Sequence, residues 1–383
     1  MQTKERIDWG SLATYAPNKK EPVYNWLYYK EGFSKQLVMK ILDVFGAREG
    51  HVVLDPFCGV GTTMLACRER GIDSIGFDVN PIAVFASRVK LRDYRRWDLE
   101  REMKRVTGQE FSEPKLKVNN SLLKRGFPKQ GLEEIVFYRD LILKTRDPDV
   151  RDFLLLGLIN VAMRCSYINK DGSVIKVKKK KSVPLPRKII KSHFKGMLKD
   201  LDRIRLRKSR VSADFGDARR IGLTDNIADF IITSPPYLNK REYEKAFRLE
   251  QGLFLDMIRF GTQLSYIGSD LKELEKNSGK LTGILDEYGK LPSTAFAYFM
   301  DMYQAIEEMY RVCKPGAKVA VVVGNGCFPT RVVESDEILK KIAESVGFRP
   351  RSTLVLNKRW CMKKRTKKVG ILRESLLVWE KLK

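Results

Sequence analysis

The sequence is poor in histidine and contains no closely paired cysteines. Of its 383 residues, two are histidines, His51 and His193, and six are cysteines, none in a Cys-x-x-Cys spacing. Zinc sites in proteins are built mainly from such ligands. We therefore expect no metal site. We also expect the cysteines to be structural thiols of a reducing compartment, because free cysteine is commonly buried.

Long apolar stretches are also missing. No segment approaches about 18 uninterrupted apolar residues, the length that indicates a membrane-spanning helix. Residues 1–6 do not begin an apolar signal-peptide stretch. These absences argue against a membrane partner and favour a cytoplasmic location. The sequence also shows no internal repeat.

What the chain does have is a large excess of positive charge. Its formal net charge is +26 and its isoelectric point is near 9.7. Residues 170–210 contain 16 basic and 3 acidic residues, and residues 358–368 contain 7 basic residues. Such dense clusters favour a nucleic-acid partner. Solvated surface is the alternative, and abundant Lys and Arg also suit a heat-loving host.

A glycine-rich loop follows a short apolar strand predicted at residues 51–54. The loop reads Asp-Pro-Phe-Cys-Gly-Val-Gly-Thr-Thr over residues 55–63. A strand end, a glycine-rich turn and a helix start bring backbone N–H groups close to a ligand. We interpret this loop as a cofactor site, with an ordinary tight turn as the alternative.

A second loop, Ser234-Pro235-Pro236-Tyr237, follows the apolar stretch 229–233. Each proline ring fixes φ and removes a hydrogen-bond donor, so the turn is rigid. A hydroxyl before the turn and an aromatic ring after it would complete a pocket for a flat group that carries an amine.

Together the two loops resemble the motifs of the S-adenosylmethionine-dependent amino-methyltransferases of nucleic acids. These enzymes methylate the exocyclic amine of cytosine or adenine, and the Ser-Pro-Pro-Tyr version is most typical of cytosine-N4 enzymes. In many members that motif precedes the cofactor loop, whereas here the cofactor loop comes first. The changed order leaves the expected sheet intact.

The resemblance implies which residues hold S-adenosylmethionine. Asp55 would lie near its amino-acid part, and Thr62 or Thr63 would cap the following helix. Asp78, at the end of the next strand, would bind the ribose hydroxyls, with helix capping as its alternative role. Asp217 would meet the adenine amine. The full predicted cofactor set is Phe33, Ser34, Asp55, Pro56, Phe57, Gly59, Gly61, Thr62, Thr63, Asp78 and Asp217.

The resemblance also assigns methyl transfer to Ser234, Pro235, Pro236 and Tyr237. The Ser234 hydroxyl and the Pro235 carbonyl would accept hydrogen bonds from the amine and free its lone pair, while Tyr237 would stack on the base. No covalent enzyme intermediate is needed, because the methyl donor is already activated. The chain also lacks the Pro-Cys pair of carbon-5 cytosine methyltransferases.

The target amine lies inside paired or stacked nucleic acid, so the base must be flipped out or already single-stranded. We expect basic residues of the two clusters, and residues that follow the catalytic loop, to contact the polymer. The residues predicted to bind nucleic acid are Lys178, Lys179, Lys180, Lys181, Tyr243, Arg248, Lys363, Lys364 and Arg365. For Tyr243 and Arg248, simple helix packing is the alternative.

Strand and helix patterns alternate along the chain, which predicts an α/β fold. The resemblance implies the seven-stranded, Rossmann-like sheet of class I methyltransferases with a terminal antiparallel hairpin. Residues 1–94 and 209–383 would form the catalytic core. Residues 95–208 would form a helical, basic insertion for substrate binding, with an exposed Lys-rich loop at 168–190. Residues 240–290 would form a second, smaller insertion.

These observations predict methyl transfer to the N4 amine of cytosine in nucleic acid. The Lys-rich segment and the lack of a recognisable DNA-reading module slightly favour structured RNA such as ribosomal RNA, whereas the family resemblance favours DNA. Adenine-N6 transfer to DNA is a further alternative, although Ser234 stands where aspartate is commoner in such enzymes. A non-catalytic RNA-binding protein on the same scaffold is the alternative from another class.

Overall fold

The fold is known from a computed structural model, which describes most of the chain. The described residues are 3–114, 120–171, 174–178, 182–238, 247–254, 265–268, 279–328, 331–363 and 367–383. Strands and helices alternate over much of this length. The strands are β1 (Thr3–Glu5), β2 (Val52–Asp55), β3 (Asp73–Asp78), β4 (Ile168–Asp171), β5 (Val174–Val177), β6 (Val211–Phe215), β7 (Ala228–Thr233), β8 (Cys313–Gly324), β9 (Gly326–Cys327), β10 (Val332–Val333), β11 (Phe348–Lys363) and β12 (Lys367–Lys381).

The helices surround the sheet and also form a separate group. They are α1 (Lys35–Phe45), α2 (Thr62–Arg70), α3 (Pro81–Lys90), α4 (Arg96–Thr107), α5 (Ser121–Gly126), α6 (Lys129–Leu143), α7 (Pro148–Arg164), α8 (Pro186–Arg203), α9 (Arg248–Phe254), α10 (Gly279–Asp286), α11 (Ser293–Val312) and α12 (Ser335–Val346). Three short 3-10 helices precede them, at Ile7–Ala13, Ala16–Lys20 and Tyr24–Trp26.

The main sheet has eight strands in the order β1-β11-β12-β8-β7-β2-β3-β6. Strands β6, β3, β2, β7 and β8 run parallel to one another, while β12 is antiparallel to both β8 and β11. The predicted α/β class I methyltransferase sheet with a terminal antiparallel hairpin is therefore confirmed. The strand number is corrected from seven to eight, because β1 adds a parallel edge strand beside β11.

Alternating side chains bury the central strands on both faces. In β8, Val319 and Val321 belong to one hydrophobic core, while Ala320 and Val322 belong to another on the opposite face. Successive residues of a strand point to opposite faces, so a continuous apolar run is the expected sequence of a central strand. This pattern places the ends of the central strands, rather than their faces, within reach of a ligand.

Residues between β3 and β6 form a helical group outside the main sheet. It contains α4 to α8, and its core includes Phe153 and Phe194. Trp26 anchors the N-terminal segment to this group, since its ring packs edge-on against Phe153 and its indole N–H donates to Asp200 Oδ2 at 3.1 Å. The predicted Lys-rich loop at 168–190 is wrong in part, because β4 and β5 pair there as an antiparallel hairpin and α8 begins at Pro186.

The cysteines depart from the sequence-based expectation. Cys327 and Cys361 form a disulfide between β9 and β11, with Cα atoms 5.6 Å apart, so the prediction that the cysteines are thiols is wrong for this pair. Cys58, Cys67 and Cys313, together with Cys165, are free and buried. The fold brings the disulfide partners together across 34 residues of sequence, a proximity that spacing alone does not reveal.

Two further features concern the described residues as a whole. None of their helices has the length and apolar character needed to cross a bilayer. They also contain no group of three or more His, Cys, Asp or Glu side chains placed to hold a metal ion.

Candidate active site

A cleft with about 790 Å³ of empty volume opens at the carboxyl ends of the parallel strands. The chain reverses its winding direction between β2 and β7, and ligands of α/β proteins commonly bind at such a switch point. We call this space the first cleft. Eight of the predicted cofactor residues line it: Phe33, Asp55, Pro56, Phe57, Gly59, Thr62, Asp78 and Asp217. Ser234, Pro235 and Pro236 line it too.

The glycine-rich loop depends on its two predicted glycines. Gly59 and Gly61 have φ values of 50° and 83°, a region that other residues rarely adopt. A Cβ on Gly61 would lie 2.8 Å from Ser87 Oγ, and one on Gly59 would lie 3.0 Å from the Tyr29 ring. The backbone is therefore packed from behind against α3, and Ser87 donates a hydrogen bond to the Gly59 carbonyl at 2.9 Å.

The prediction that Thr62 or Thr63 caps helix α2 is wrong. The N-cap is Gly61, and no side chain caps the helix. Thr63 is fully buried, and its hydroxyl donates to Asp55 Oδ2 at 2.6 Å. The Thr63 hydroxyl therefore binds the Asp55 carboxylate at the end of β2 and does not cap helix α2.

Asp55 joins the two sequence motifs. Its Oδ2 accepts from Thr63, and its Oδ1 accepts from Thr233 Oγ1 at 2.6 Å and from the Phe57 N–H at 3.2 Å. Thr233 immediately precedes Ser234 of the Ser-Pro-Pro-Tyr loop. Burial raises the pKa of Asp55 to about 6, although the hydrogen bonds oppose that rise. Asp55 thus holds the glycine-rich loop and the Ser-Pro-Pro-Tyr loop in one arrangement.

Asp78 stands at the end of β3 and lines the first cleft. Its Oδ2 accepts from the Gly59 N–H and its Oδ1 accepts from the Asn80 N–H, both at 2.8 Å. Asn80, not Asp78, caps helix α3. Burial raises the pKa of Asp78 from 3.8 to about 6. Each carboxylate oxygen keeps a lone pair that could accept a further hydrogen bond from a ligand hydroxyl.

Cofactor affinity should depend on pH through this carboxyl group. The folded chain binds the Asp78 proton more tightly than the unfolded chain, so this group favours folding as the pH falls below about 6. The ionised form is the better acceptor for ribose hydroxyls. We therefore expect the dissociation constant for S-adenosylmethionine, measured by calorimetry, to rise about 10-fold between pH 7.5 and pH 5.

The variant Asp78→Asn supplies the control for this pH dependence. It should bind the cofactor weakly at every pH and lose most of the change. If it kept the full dependence, the titrating group would be another, with Asp55 as the first candidate because its pKa is also raised to about 6.

Asp217 lines the first cleft but is already paired. The Arg219 guanidinium donates to both of its carboxylate oxygens, with Nη2 to Oδ2 at 2.6 Å. Arg219 also donates to Asp301 Oδ1 at 2.9 Å and to the Ser265 carbonyl at 3.2 Å. This network brings residues 265–267, which sequence reasoning did not single out, into the wall of the cleft.

Other residues of the site also escaped sequence reasoning. Tyr29 lines the first cleft, lies against Gly59, and stacks on Phe247 with ring centroids 5.5 Å apart.

Phe33 lines the cleft, whereas Ser34 is fully buried and caps helix α1 by accepting from the Leu37 N–H at 3.2 Å. Like Gly61 and Thr63, Ser34 positions the walls of the cleft from behind.

The Ser-Pro-Pro-Tyr loop follows β7 and borders the first cleft. The Ser234 hydroxyl donates to the Val322 carbonyl of β8 at 3.0 Å. Its proton is thus committed to the backbone, and the oxygen keeps lone pairs that can accept a hydrogen bond. Pro235 is buried, and Pro236 is half-buried beside it.

Tyr237 faces a neighbouring space, which we call the second cleft. This cleft has about 1080 Å³ of empty volume and shares Glu31 and Gly32 with the first. The Tyr237 hydroxyl donates to Glu374 Oε1 at 2.7 Å. Because Pro236 lines one cleft and Tyr237 the other, the Ser-Pro-Pro-Tyr loop lies where the two meet.

Gly324 sets the position of the Tyr237 ring. A Cβ at this position would lie 2.8 Å from two ring carbons, Cδ2 and Cε2. We expect Gly324→Ala to shift the ring and to lower turnover at least 10-fold, with S-adenosylmethionine affinity unchanged and about 1–3 kcal/mol of stability lost. Methyl transfer assays and thermal unfolding test this expectation.

Gly196→Ala on α8 is the matched control, since a Cβ there meets nothing within 4 Å. That variant should keep full activity and gain about 0.5–1 kcal/mol of stability from its higher helix propensity. Equal activities for the two variants would contradict the role assigned to Gly324.

The predicted nucleic-acid-binding residues are only partly described. Lys178 follows β5 and is exposed, and Arg248 is exposed at the start of α9. Phe247, beside Arg248, is buried against Tyr29. For Lys363 the structure describes the backbone, as part of β11. The predictions for Lys179, Lys180, Lys181, Tyr243, Lys364 and Arg365 lie outside the described residues.

The first cleft suits S-adenosylmethionine in both its polar and its apolar parts. Asp78 and the loop at Gly59 offer hydrogen-bonding groups, while Phe57, Val79 and Ile267 offer apolar surface for the adenine ring. When bound, the cofactor supplies a methyl group activated by a positive sulfonium. The fold and this cleft define the chain as a class I S-adenosylmethionine-dependent methyltransferase.

Comparisons with known proteins agree with this class. Residues 9–87 match the family model described as N6_N4_Mtase, DNA methylase. The Type II methyltransferase M.BsoBI of Geobacillus stearothermophilus is 27% identical over 97% of this chain and 88% of its own length. The Type II methyltransferase M.AvaI of Nostoc sp. is 25% identical over 90% of this chain and 83% of its own length. The Type II methyltransferase M.MjaII of Methanocaldococcus jannaschii is 38% identical over 23% of this chain and 17% of its own length.

These matches bear out the resemblance to the amino-methyltransferases that the two loops indicated. They also support an S-adenosylmethionine-dependent methyltransferase that acts on nucleic acid.

Proposed function

We propose that this enzyme transfers a methyl group to the N4 amine of cytosine in DNA. The observation that carries the proposal is the hydrogen bond from the Ser234 hydroxyl to the Val322 carbonyl. With its proton held there, the Ser234 oxygen can only accept from the amine of the base. Accepting an N–H draws the amine out of conjugation with the ring, so that its lone pair becomes nucleophilic.

The other loop residues complete the amine site in this proposal. The Pro235 carbonyl is a second acceptor, and the two prolines keep it fixed because neither ring permits rotation about φ. Tyr237 offers its ring for stacking, and Gly324 and Glu374 hold that ring in place. A base between the two clefts would have its amine beside Ser234.

The cofactor roles follow from the same cleft. Asp78 would accept from the ribose hydroxyls, and the Gly59 region would lie under the cofactor. Asp217 would face the adenine amine with a carboxylate that Arg219 already holds. The backbone beside Asp217 can therefore equally well donate hydrogen bonds to the adenine and accept them from it. Ser34, Gly61 and Thr63 would act through the backbone that they support.

The relatives favour DNA over RNA as the polymer. The matched family model is described as a DNA methylase, and M.BsoBI and M.AvaI, which align with most of the chain, are Type II methyltransferases. The sequence-based preference for structured RNA rested on charge density, which serves either polymer equally because both carry a phosphate backbone.

Helix α8 supports the assignment of residues 95–208 to substrate binding. Its exposed residues include four lysines spaced three or four apart, which therefore lie along one face: Lys188, Lys191, Lys195 and Lys199. Residues at this spacing are neighbours on a helix surface, where like charges repel unless a polyanion lies across them. We assign this face to phosphate contacts. The main core, residues 1–94 and 209–383, would hold the reacting groups.

Nucleoside analysis after reaction tests the proposed function. The purified enzyme is incubated with isotopically labelled S-adenosylmethionine and, separately, with unmethylated genomic DNA and with ribosomal RNA. Mass spectrometry of the digested nucleosides should show label in N4-methylcytosine from the DNA. Label in N6-methyladenine would overturn the cytosine assignment, and label confined to the RNA would overturn the DNA assignment.

A further inference from the structure

We propose that the second cleft is the groove in which the nucleic-acid strand lies next to the target base, with Lys30 and Arg359 binding its phosphates and Tyr28 stacking on a neighbouring base. This inference rests on the proposed function, since it concerns how the same substrate reaches Ser234. None of these three residues was among the sequence-predicted binding residues. All three line the second cleft.

The position of the second cleft suits the nucleic-acid strand that carries the target base. It shares Glu31 and Gly32 with the first cleft, and Tyr237 lines it directly after Pro236 of the first. A base stacked on Tyr237 would therefore enter from the second cleft. The sugar and phosphates attached to that base must then lie along its rim.

The two cations at this rim are available for phosphate binding. Lys30 and Arg359 are both exposed, and within the described part of the chain neither has an ion-pair partner. Arg373 lines the same cleft but differs, because its guanidinium donates to both carboxylate oxygens of Asp336, at 3.0 and 3.1 Å. Exposed cations without a carboxylate partner are the groups expected to exchange counterions for phosphates.

Acidic residues of the cleft do not oppose a strand at the rim. Glu374 is hydrogen-bonded to the Tyr237 hydroxyl. Glu31 is one of the two residues shared with the first cleft, so it lies toward the reacting end. The two exposed cations are therefore left to meet phosphates, whereas the Glu374 carboxylate is engaged with Tyr237.

Tyr28 provides an aromatic surface beside the cations. The residue is 45% exposed. Its ring is held edge-on by Tyr15, with centroids 5.5 Å apart, and Lys19 Nζ lies 4.9 Å from its centroid. Aromatic rings placed among cations are the usual platform for unpaired bases, because every base has a stacking face.

The test removes the charges and follows the kinetics of methyl transfer. The double variant Lys30→Gln/Arg359→Gln is compared with Lys4→Gln/Arg48→Gln, which removes the same charge from one exposed lysine and one exposed arginine that line neither cleft and lie outside residues 95–208. The substrate is fragmented, unmethylated genomic DNA, or ribosomal RNA if the wild type modifies only RNA. Each variant is assayed at several salt concentrations.

We expect the cleft variant to raise KM for the nucleic acid about 10-fold or more near 0.15 M salt and to lower the slope of log KM against log salt by about two. Its kcat and its S-adenosylmethionine affinity should stay within about 2-fold of wild type, and the control pair should resemble wild type within about 2-fold in KM. Tyr28→Leu should raise KM about 5-fold or more without changing the salt slope, since stacking releases no counterions.

Equal KM values for the cleft and control variants, with an active wild type, would overturn this inference while leaving the proposed function intact. A wild type that methylates neither polymer would overturn the proposed function itself. The two failures are thus distinguishable. The substituted side chains are exposed, and because Tyr28 also packs against Tyr15, thermal unfolding of each variant verifies that it folds.

Discussion

Replacing Ser234 with alanine should abolish most methyl transfer while leaving cofactor binding intact. In the proposed mechanism the hydroxyl oxygen accepts the hydrogen bond that activates the amine, an interaction needed chiefly when the amine reacts. Removing one such fixed group typically lowers kcat by about 100-fold or more. The lost bond to the Val322 carbonyl should cost only about 1 kcal/mol of stability, so the variant should fold.

Ser345→Ala is the matched control for this substitution. Ser345 also donates one hydrogen bond to a backbone carbonyl, that of Ile342 at 2.8 Å, but it lies at the end of α12 and lines neither cleft. Turnover is measured by transfer of labelled methyl groups, and S-adenosylmethionine affinity by calorimetry. A Ser234→Ala enzyme with wild-type kcat would refute the role given to this hydroxyl.

Replacing Asp78 with alanine should have the opposite effect: cofactor binding should weaken while most of kcat is kept. The carboxylate is expected to accept two ribose hydroxyls, and it also accepts the N–H of Gly59. Hydrogen bonds to a charged acceptor contribute about 1.5–3 kcal/mol each, so the dissociation constant for S-adenosylmethionine should rise about 100-fold or more. With saturating cofactor, kcat should recover much of its wild-type value, because the catalytic loop is untouched.

Asp214→Ala controls for the loss of a negative charge in the same region. Asp214 lies in β6 beside Phe77 of β3, yet its carboxylate is paired with Arg88 at 2.7 Å and is about half exposed. Its removal should leave cofactor affinity within about 2-fold of wild type. Equal affinities for the Asp78 and Asp214 variants would show that the ribose lies elsewhere.

The parts of the site that the sequence predicts are those set by local chemistry. Asp55 and Asp78 end apolar strands, Gly59 and Gly61 adopt conformations that favour glycine, and Pro235 with Pro236 fixes a turn. These signals are read within a few residues, and the structure places them together because parallel strands share one carboxyl edge.

The parts that the sequence does not predict depend on contacts between distant segments. Arg219 reaches Asp301 across 82 residues, and Cys361 reaches Cys327 across 34. The edge strand β1 is three exposed residues, Thr3–Glu5, with no apolar alternation to reveal it. Thr63 met the rule for a helix cap but bonds to Asp55 instead, because burial beside a carboxylate outweighs capping.

The second cleft illustrates the same limit. Tyr28 and Lys30 belong to the N-terminal segment, and Arg359 belongs to β11, so no single motif joins them. Basic runs drew attention to residues 178–181 and 363–365 instead. Isolated cations such as Lys30 and Arg359 can be recognised as a candidate phosphate site only once the fold places them around the same cleft.

The carboxylate of Asp55 has a consequence for how this enzyme could change its target. Two short hydroxyl contacts, from Thr63 and Thr233, fix the separation between the glycine-rich loop and the Ser-Pro-Pro-Tyr loop, the proposed methyl-donating and methyl-accepting sides of the centre. That separation is independent of the outer surfaces that meet the polymer. New sequence preferences could therefore arise through exchanges at the periphery, without resetting the distance over which the methyl group travels.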